Sequence, residues 1–334
     1  MAITDLMDVE LKRETGWIMS KHRTAIGHTI ASICIGWALA WGWMAHEAQA
    51  QQPPCQSNER FIVYCVRPSE TNPQITRFDE QHFVMMRRGA TDRNEPLLVF
   101  MPGTNGKPPG AIEFLRTAAE NGYRVISLEY NDDTSVAVYC PINGGPPCSA
   151  RFRNMRIYGN STLDPNIDNT HVEAITERLY ALLRWLDRTY PEEKWSRFYD
   201  QQGMVWDQIA LAGQSQGAGM AAFIGKQKLV NRVILFSSPW DFYLGPSRER
   251  ILAPWLAWPM TTPPERWYAG YNQREATADL LQRAYAMLQI PPDHIRIFSQ
   301  LLPDAIPGRG NPYHTQGVHN PIYKPEWVFF LTGR

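Results

Sequence analysis

The pentapeptide Gly213-Gln214-Ser215-Gln216-Gly217 sets one hydroxyl between two glycines. A serine hydroxyl is a weak nucleophile until a neighbouring base takes its proton. The pattern G-x-S-x-G suits that chemistry where a strand turns sharply into a helix. The turn lifts the hydroxyl above the sheet edge. Glycine at the flanks removes side chains that would collide with neighbouring chain. The N–H of the residue after the serine, here Gln216, then lies at a helix N-terminus, aimed at any oxyanion that forms. The base needs a pKa near working pH, which points to histidine. An Asp or Glu must hold the imidazole's orientation and stabilise its charge.

The elements around the motif fit that requirement. "QIALAGQS" reads as a strand and "GAGMAAFIGKQ" as a close-packing helix. "RFIVYCV" and "HFVMMRR" are β-branched and aromatic strands, expected as antiparallel neighbours. "PLLVFMPG" is a nearly continuous apolar run, as a buried parallel strand would be. "AIEFLRTAAENG" is helical and "YRVISLEYN" is the next strand. Residues 132–165 read as a long irregular segment carrying "CPINGGPPC". "NTHVEAITERLYALLRWLDRTY" has apolar residues at helical spacing. "NRVILFSSP", "ERWYAGYN" and "HIRIFS" are strands, with "ATADLLQRAYAML" a helix between the last two. A helix from Pro325 through "EWVFFL" closes the chain. Strands alternating with helices predict an α/β fold with a mostly parallel sheet covered on both faces.

With "GQSQG", "MPGTNG" and a late histidine in that order, the chain from about Phe61 onward resembles the α/β-hydrolase superfamily. It is most similar to exported bacterial serine hydrolases with a G-T-N-G loop after the third strand. The resemblance implies that this loop supplies a second oxyanion donor. Pro102-Gly103 stands where many relatives have His-Gly, so the donor falls to the backbone N–H of Thr104 or Asn105. It also implies that the base lies in "GNPYHTQGVHNP". His319, preceded by small Gly317-Val318, fits best there, with His314 as the alternative. His82 and His171 fall at structural or surface positions, His294 precedes the "IRIF" strand, and His22, His28 and His46 belong to the export segment. The acid's usual place is the turn after "RWYAGYN", where Glu275 is the acid at the expected distance. Asp241 in "SSPWDF" is the competitor, and Asp304 is more remote. Residues 240–263 form an insertion that, by the resemblance, caps the site. Its Trp240 and Phe242 would bury an apolar acyl or alcohol group. The implied activity is ester hydrolysis through an acyl-enzyme, on a small-molecule or polymeric ester, with no metal or organic cofactor. An acyltransferase with the same triad, or a binding protein on a hydrolase scaffold, are the alternatives.

Composition bounds the rest. The chain has 334 residues, with 33 basic and 33 acidic side chains. That balance removes any case for a nucleic-acid partner. Lys21-His22-Arg23, then an apolar run without Asp, Glu, Lys or Arg, then Ala48-Gln49-Ala50 describe a signal peptide over residues 1–50. Translation starting at Met19 would give it a more ordinary form. A single catalytic domain over residues 51–334 follows, secreted or periplasmic, with no stable membrane insertion once the signal is cleaved. Nothing in the chain specifies an oligomer. Cys55, Cys65, Cys140 and Cys148 remain after cleavage. In an oxidising compartment the local pairing, Cys55–Cys65 and Cys140–Cys148, is expected.

Overall fold

Five consecutive buried apolar residues, Leu97-Leu98-Val99-Phe100-Met101, form β3 (Leu97–Met101) at the middle of the sheet. A strand with no polar face is stable only where both faces are covered. Around it lie β1 (Phe61–Val66), β2 (His82–Arg87), β4 (Arg124–Ser127), β5 (Ile209–Gln214), β6 (Arg232–Phe236), β7 (Trp267–Asn272) and β8 (Ile295–Phe298). Their spatial order is β1-β2-β4-β3-β5-β6-β7-β8. Strand β2 is antiparallel to both of its neighbours. All other pairs are parallel. The computed structural model describes residues 55–89, 94–159, 169–301 and 311–334. The expected export segment and Asp304 lie outside the described residues.

Strand residues alternate between two cores, as a side-chain period of two requires. Leu98 and Phe100 join one core with Phe114 and Leu115 of α1 (Ile112–Glu120). Trp327 and Phe330 of α8 (Lys324–Thr332) complete it. Phe114 sits at its centre, edge-on to Phe236 and Trp327. Leu97, Val99 and Met101 face the other core. That core holds residues of α2 (Val136–Asn143), α3 (Cys148–Tyr158), α4 (Ile175–Thr189), α5 (Gln216–Gln227) and α6 (Ala278–Met287). Helices therefore cover both faces of a mostly parallel sheet. This is the α/β-hydrolase fold that the order of motifs implied. Among the described residues no helix is long and apolar enough to cross a membrane.

One expectation is corrected. The segment read as irregular contains two helices, α2 and α3. Helix α2 carries Pro141 in its interior, and Ser135 caps it by accepting from the Val138 N–H. Helix α3 buries Arg153 and Arg156 beside Phe152 and Met155. Buried cations erase the polar–apolar stripe by which a helix is read from sequence. The Cys140–Cys148 disulfide, S–S 2.02 Å, joins the two helices, and Cys55–Cys65, at 2.05 Å, ties the chain before β1 to β1 itself.

The disulfide between α2 and α3 closes a short loop, of sequence separation 8. Chain-entropy arguments assign such a loop about 2–3 kcal/mol. Replacing Cys140 and Cys148 together by Ser should lower the unfolding free energy by about that amount. Urea unfolding of the two proteins at one pH measures it.

Candidate active site

The site is built where β5 ends. Ser215 follows it directly, with φ 51° and ψ −122°, and α5 begins at the next residue. Positive φ is rare for a residue with a Cβ and costs about 1–3 kcal/mol. The surroundings hold it there. The Ser215 N–H donates to the Phe236 carbonyl at the end of β6, at 2.9 Å. Its own carbonyl accepts from Gly219 N–H at 3.2 Å. The flanking glycines allow the close approach this needs. A Cβ on Gly217 would lie 2.0 Å from the Met101 carbonyl oxygen. One on Gly213 would lie 2.4 Å from the Gly217 carbonyl carbon. Neither contact can be relieved by moving a side chain, because both partners are backbone.

The histidine that meets the serine is His314. Its Nε2 is 2.8 Å from Ser215 Oγ, and its Nδ1 is 2.8 Å from Glu275 Oε2. His314 keeps 18% of its side chain exposed, while the Glu275 carboxylate is fully enclosed. The expectation of His319 at this position is therefore corrected. His319 ends α7 (Gln316–His319), is exposed, and turns its Nδ1 to the Thr315 carbonyl at 2.7 Å. Gly317 is small for a different reason. A Cβ there would lie 2.9 Å from the Phe298 ring, so the glycine lets α7 settle on β8. His314 precedes the helix, and its carbonyl accepts from the Gln214 side chain at 3.2 Å.

Glu275 and Asp241, the two rival carboxylates, have separate fates. Glu275 lies in the turn after β7 and reaches the imidazole. Asp241 is corrected as an acid for this histidine, because other groups occupy it. Arg153 Nε donates to Asp241 Oδ2 at 2.7 Å and Nη2 to Oδ1 at 2.5 Å. Trp255 Nε1 adds a bond to Oδ2 at 2.9 Å. Both partners of this bidentate pair are buried. Removing one partner of such a pair leaves a buried charge uncompensated, which costs about 3–5 kcal/mol. Asp241 thus ties the segment after β6 to α3.

The loop after β3 comes against the serine. A Cβ on Gly103 would lie 3.1 Å from Ser215 Cβ. Gly106 N–H donates to the Gly103 carbonyl at 2.8 Å, closing a four-residue turn. Asn105, at its third position, has φ 57° and is exposed, while Thr104 is half-buried. Gln216 heads α5, so its N–H has no acceptor within the helix. Its side chain is a brace. Oε1 accepts from Val136 N–H at 2.9 Å, and Nε2 donates to the Asp132 carbonyl at 3.0 Å. Tyr130 Oη supports the β3 loop from below, donating to the Pro102 carbonyl at 2.7 Å.

Residues 240–263 form a hairpin, Phe242–Leu244 with Arg250–Leu252, followed by a short 3-10 turn, Pro254–Ala257. Trp240 is half-buried against the larger core and stacks on Phe242, ring centroids 6.2 Å apart. Phe242 is buried, with the Arg250 guanidinium over its ring. Among the described residues no group of three or more His, Cys, Asp or Glu could hold a metal ion. Reading from sequence missed Ser237, whose hydroxyl donates to Glu275 Oε1 at 2.6 Å. It also missed the bracing by Gln214 and Gln216. Their place inside the pentapeptide was the available signal.

No protein-family model matches the chain, and no curated protein matches it in sequence. Similar solved structures include an esterase from Pyrococcus furiosus, at 15% identity and TM-score 0.41, covering 82% of this chain and 90% of that one. A dienelactone hydrolase from Anabaena variabilis is 13% identical, with TM-score 0.40, over 81% of this chain and 98% of that one. An esterase from Pyrobaculum calidifontis is 14% identical, with TM-score 0.38, over 82% and 84% respectively. At that distance the chemistry rests on this chain's own side chains.

Two buried carboxyls lie behind the β3 loop, and burial pushes both Glu129 and Asp132 up to about 7. The N–H groups of Gly106 and of Asp132 itself partly offset this for Asp132. The ordinary values are 4.5 for Glu and 3.8 for Asp. Between about pH 4 and pH 7 the folded chain therefore binds protons that the unfolded chain has released. These two groups make stability rise as pH falls through that window, and they cost stability above it. Asp132→Asn should raise Tm at pH 8 and raise it less at pH 5. Thermal melts at the two pH values test this.

Proposed function

We propose that the protein is a serine hydrolase that cleaves carboxylic esters through an acyl-enzyme. One observation carries this reading: His314 bridges Ser215 and Glu275, with 2.8 Å on each side. In this reading Nδ1 carries the proton and donates to Glu275. Nε2 then faces the serine hydroxyl as an acceptor and can take its proton. Glu275 holds that tautomer and stabilises the imidazolium once it forms.

Ser215 Oγ attacks the ester carbonyl carbon while its proton passes to His314 Nε2. The carbonyl π pair moves onto oxygen, giving a tetrahedral oxyanion. The backbone N–H of Gln216 and that of Thr104 are the donors proposed for it. Asn105, on the outer corner of the same turn, is the alternative to Thr104. Such donors act strongly because they are fixed before charge develops. The C–O bond to the alcohol then breaks, and His314 protonates the departing oxygen. Water repeats the sequence, with His314 as base, and releases the acid from Ser215. No step calls for a metal or an organic cofactor. Trp240 and Phe242 are proposed to line the acyl or alcohol side of the site. A secreted or periplasmic location is part of the proposal, supported by the two disulfides.

A fluorophosphonate should label the wild-type protein, and Ser215→Ala should abolish the label. Glu275→Gln should lower ester turnover by about a thousandfold or more, since the imidazole loses its anionic partner. Asp241→Asn should act on stability instead, lowering Tm while turnover per active site, with sites counted by fluorophosphonate titration, stays near normal. Labelling that persists in Ser215→Ala, or equal turnover losses for the two carboxylates, would sink the reading.

A further inference from the structure

Glu275 offers His314 only one of its two oxygens. Oε2 takes the contact with Nδ1. Oε1 accepts two other bonds, from the Ser237 hydroxyl at 2.6 Å and from the Asn272 N–H at 2.9 Å. Ser237 directly follows β6, the strand next to β7 in the sheet. It is 1% exposed, and its own N–H donates to the Gly270 carbonyl of β7 at 2.9 Å. Its φ of 55° turns the chain at that point. The hydroxyl is thus presented from a backbone that the neighbouring strand already fixes.

A glutamate has three side-chain torsions, and one bond to an imidazole does not fix the plane of its carboxylate. A second oxygen held independently does. We propose that Ser237 is a positioning residue for Glu275; the proposal rests on the Ser215–His314–Glu275 reading of the site. Ser237 acts by locking Oε1, so that Oε2 stays in line with His314 Nδ1. Without the hydroxyl, Oε1 keeps only the Asn272 N–H, and the carboxylate can rotate about its last torsion. The imidazole then spends less time in the orientation that accepts the serine proton. Ester binding is untouched, because Ser237 lies behind the acid and away from the reacting carbon.

Steady-state kinetics on a p-nitrophenyl ester test the idea, with Ser237→Ala, Ser237→Gly, Glu275→Ala and the double variant Ser237→Ala with Glu275→Ala. Loss of the hydroxyl should lower kcat by about tenfold or more, as a bond to a charged group warrants, and leave KM within about twofold. Ser237→Gly should behave like Ser237→Ala. It also tolerates the positive φ, so it carries the comparison if the alanine variant does not melt cooperatively. In the Glu275→Ala background, removing the hydroxyl should change the fluorophosphonate labelling rate by less than about twofold, because nothing remains to be positioned. Wild-type kcat in both Ser237 variants would overturn the proposal. So would an undiminished loss in the Glu275→Ala background, which would mark a structural effect independent of the acid. Wild-type turnover in Glu275→Ala alone would overturn the triad reading itself, and this proposal with it.

Discussion

The site depends on one backbone angle. Ser215 stands at φ 51°, where a residue with a Cβ gains nothing locally. It is held there by what surrounds it. Its N–H belongs to the end of β6, and Gly217 packs against the β3 carbonyls at a distance only a missing Cβ allows. Three adjacent strands, β3, β5 and β6, thus converge on one residue. Strain of about 1–3 kcal/mol is small against the burial of the two cores that lock these strands. The turn cannot relax without unpairing the middle of the sheet. That is why the hydroxyl, the β3 loop and the histidine loop can all be brought to one edge.

The two carboxylates show how position decides chemistry among like groups. Asp241 and Glu275 both follow parallel strands at the same end of the sheet, and both are buried. Asp241 meets a guanidinium that occupies both oxygens. Its charge is neutralised, and it becomes a strut between α3 and the segment after β6. Glu275 meets only neutral donors on one oxygen, so the other is available to a ring. A buried carboxylate satisfied by neutral donors keeps its negative charge directed outward. One already paired with arginine has little left to offer an imidazolium. The longer glutamate side chain also has more torsions to fix, which gives Ser237 and Asn272 their place.

Much of this was legible in the chain and some was not, for physical reasons. The pentapeptide carries its own steric logic, and β3 announces itself as five apolar residues. The turn after β7 held one acid at the right distance, and Glu275 does face the histidine. The choice between His314 and His319 could not be made on smallness. Gly317 is small to admit the Phe298 ring, and nothing local separates that need from access to a serine. The weight of Asp241 turned on Arg153, 88 residues earlier in the chain. Helices α2 and α3 were hidden by a proline, a Gly/Pro-rich link and two buried arginines. Ser237 sits in an ordinary Ser-Ser-Pro stretch, and only the folded sheet sets it beside Glu275. The missed features are those in which a residue's meaning comes from a partner far along the chain.

The two glutamines of the pentapeptide show why the variable positions of such a motif are not free. They reach in different directions from either side of the serine. Gln214 holds the carbonyl of His314, whose ring meets the Ser215 hydroxyl. Gln216 holds the start of α2, accepting from one N–H and donating to one carbonyl. The amide does both at once, from two separate atoms. An ionised glutamate at 216 could accept from Val136 but could not donate to the Asp132 carbonyl. It would also add a third buried carboxyl near Glu129 and Asp132, which burial already pushes up to about 7. A lysine could donate but not accept. The neutral, two-sided side chain satisfies the buried backbone without adding charge beside Ser215. The residues that flank the serine therefore set the frame around it as firmly as the glycines do.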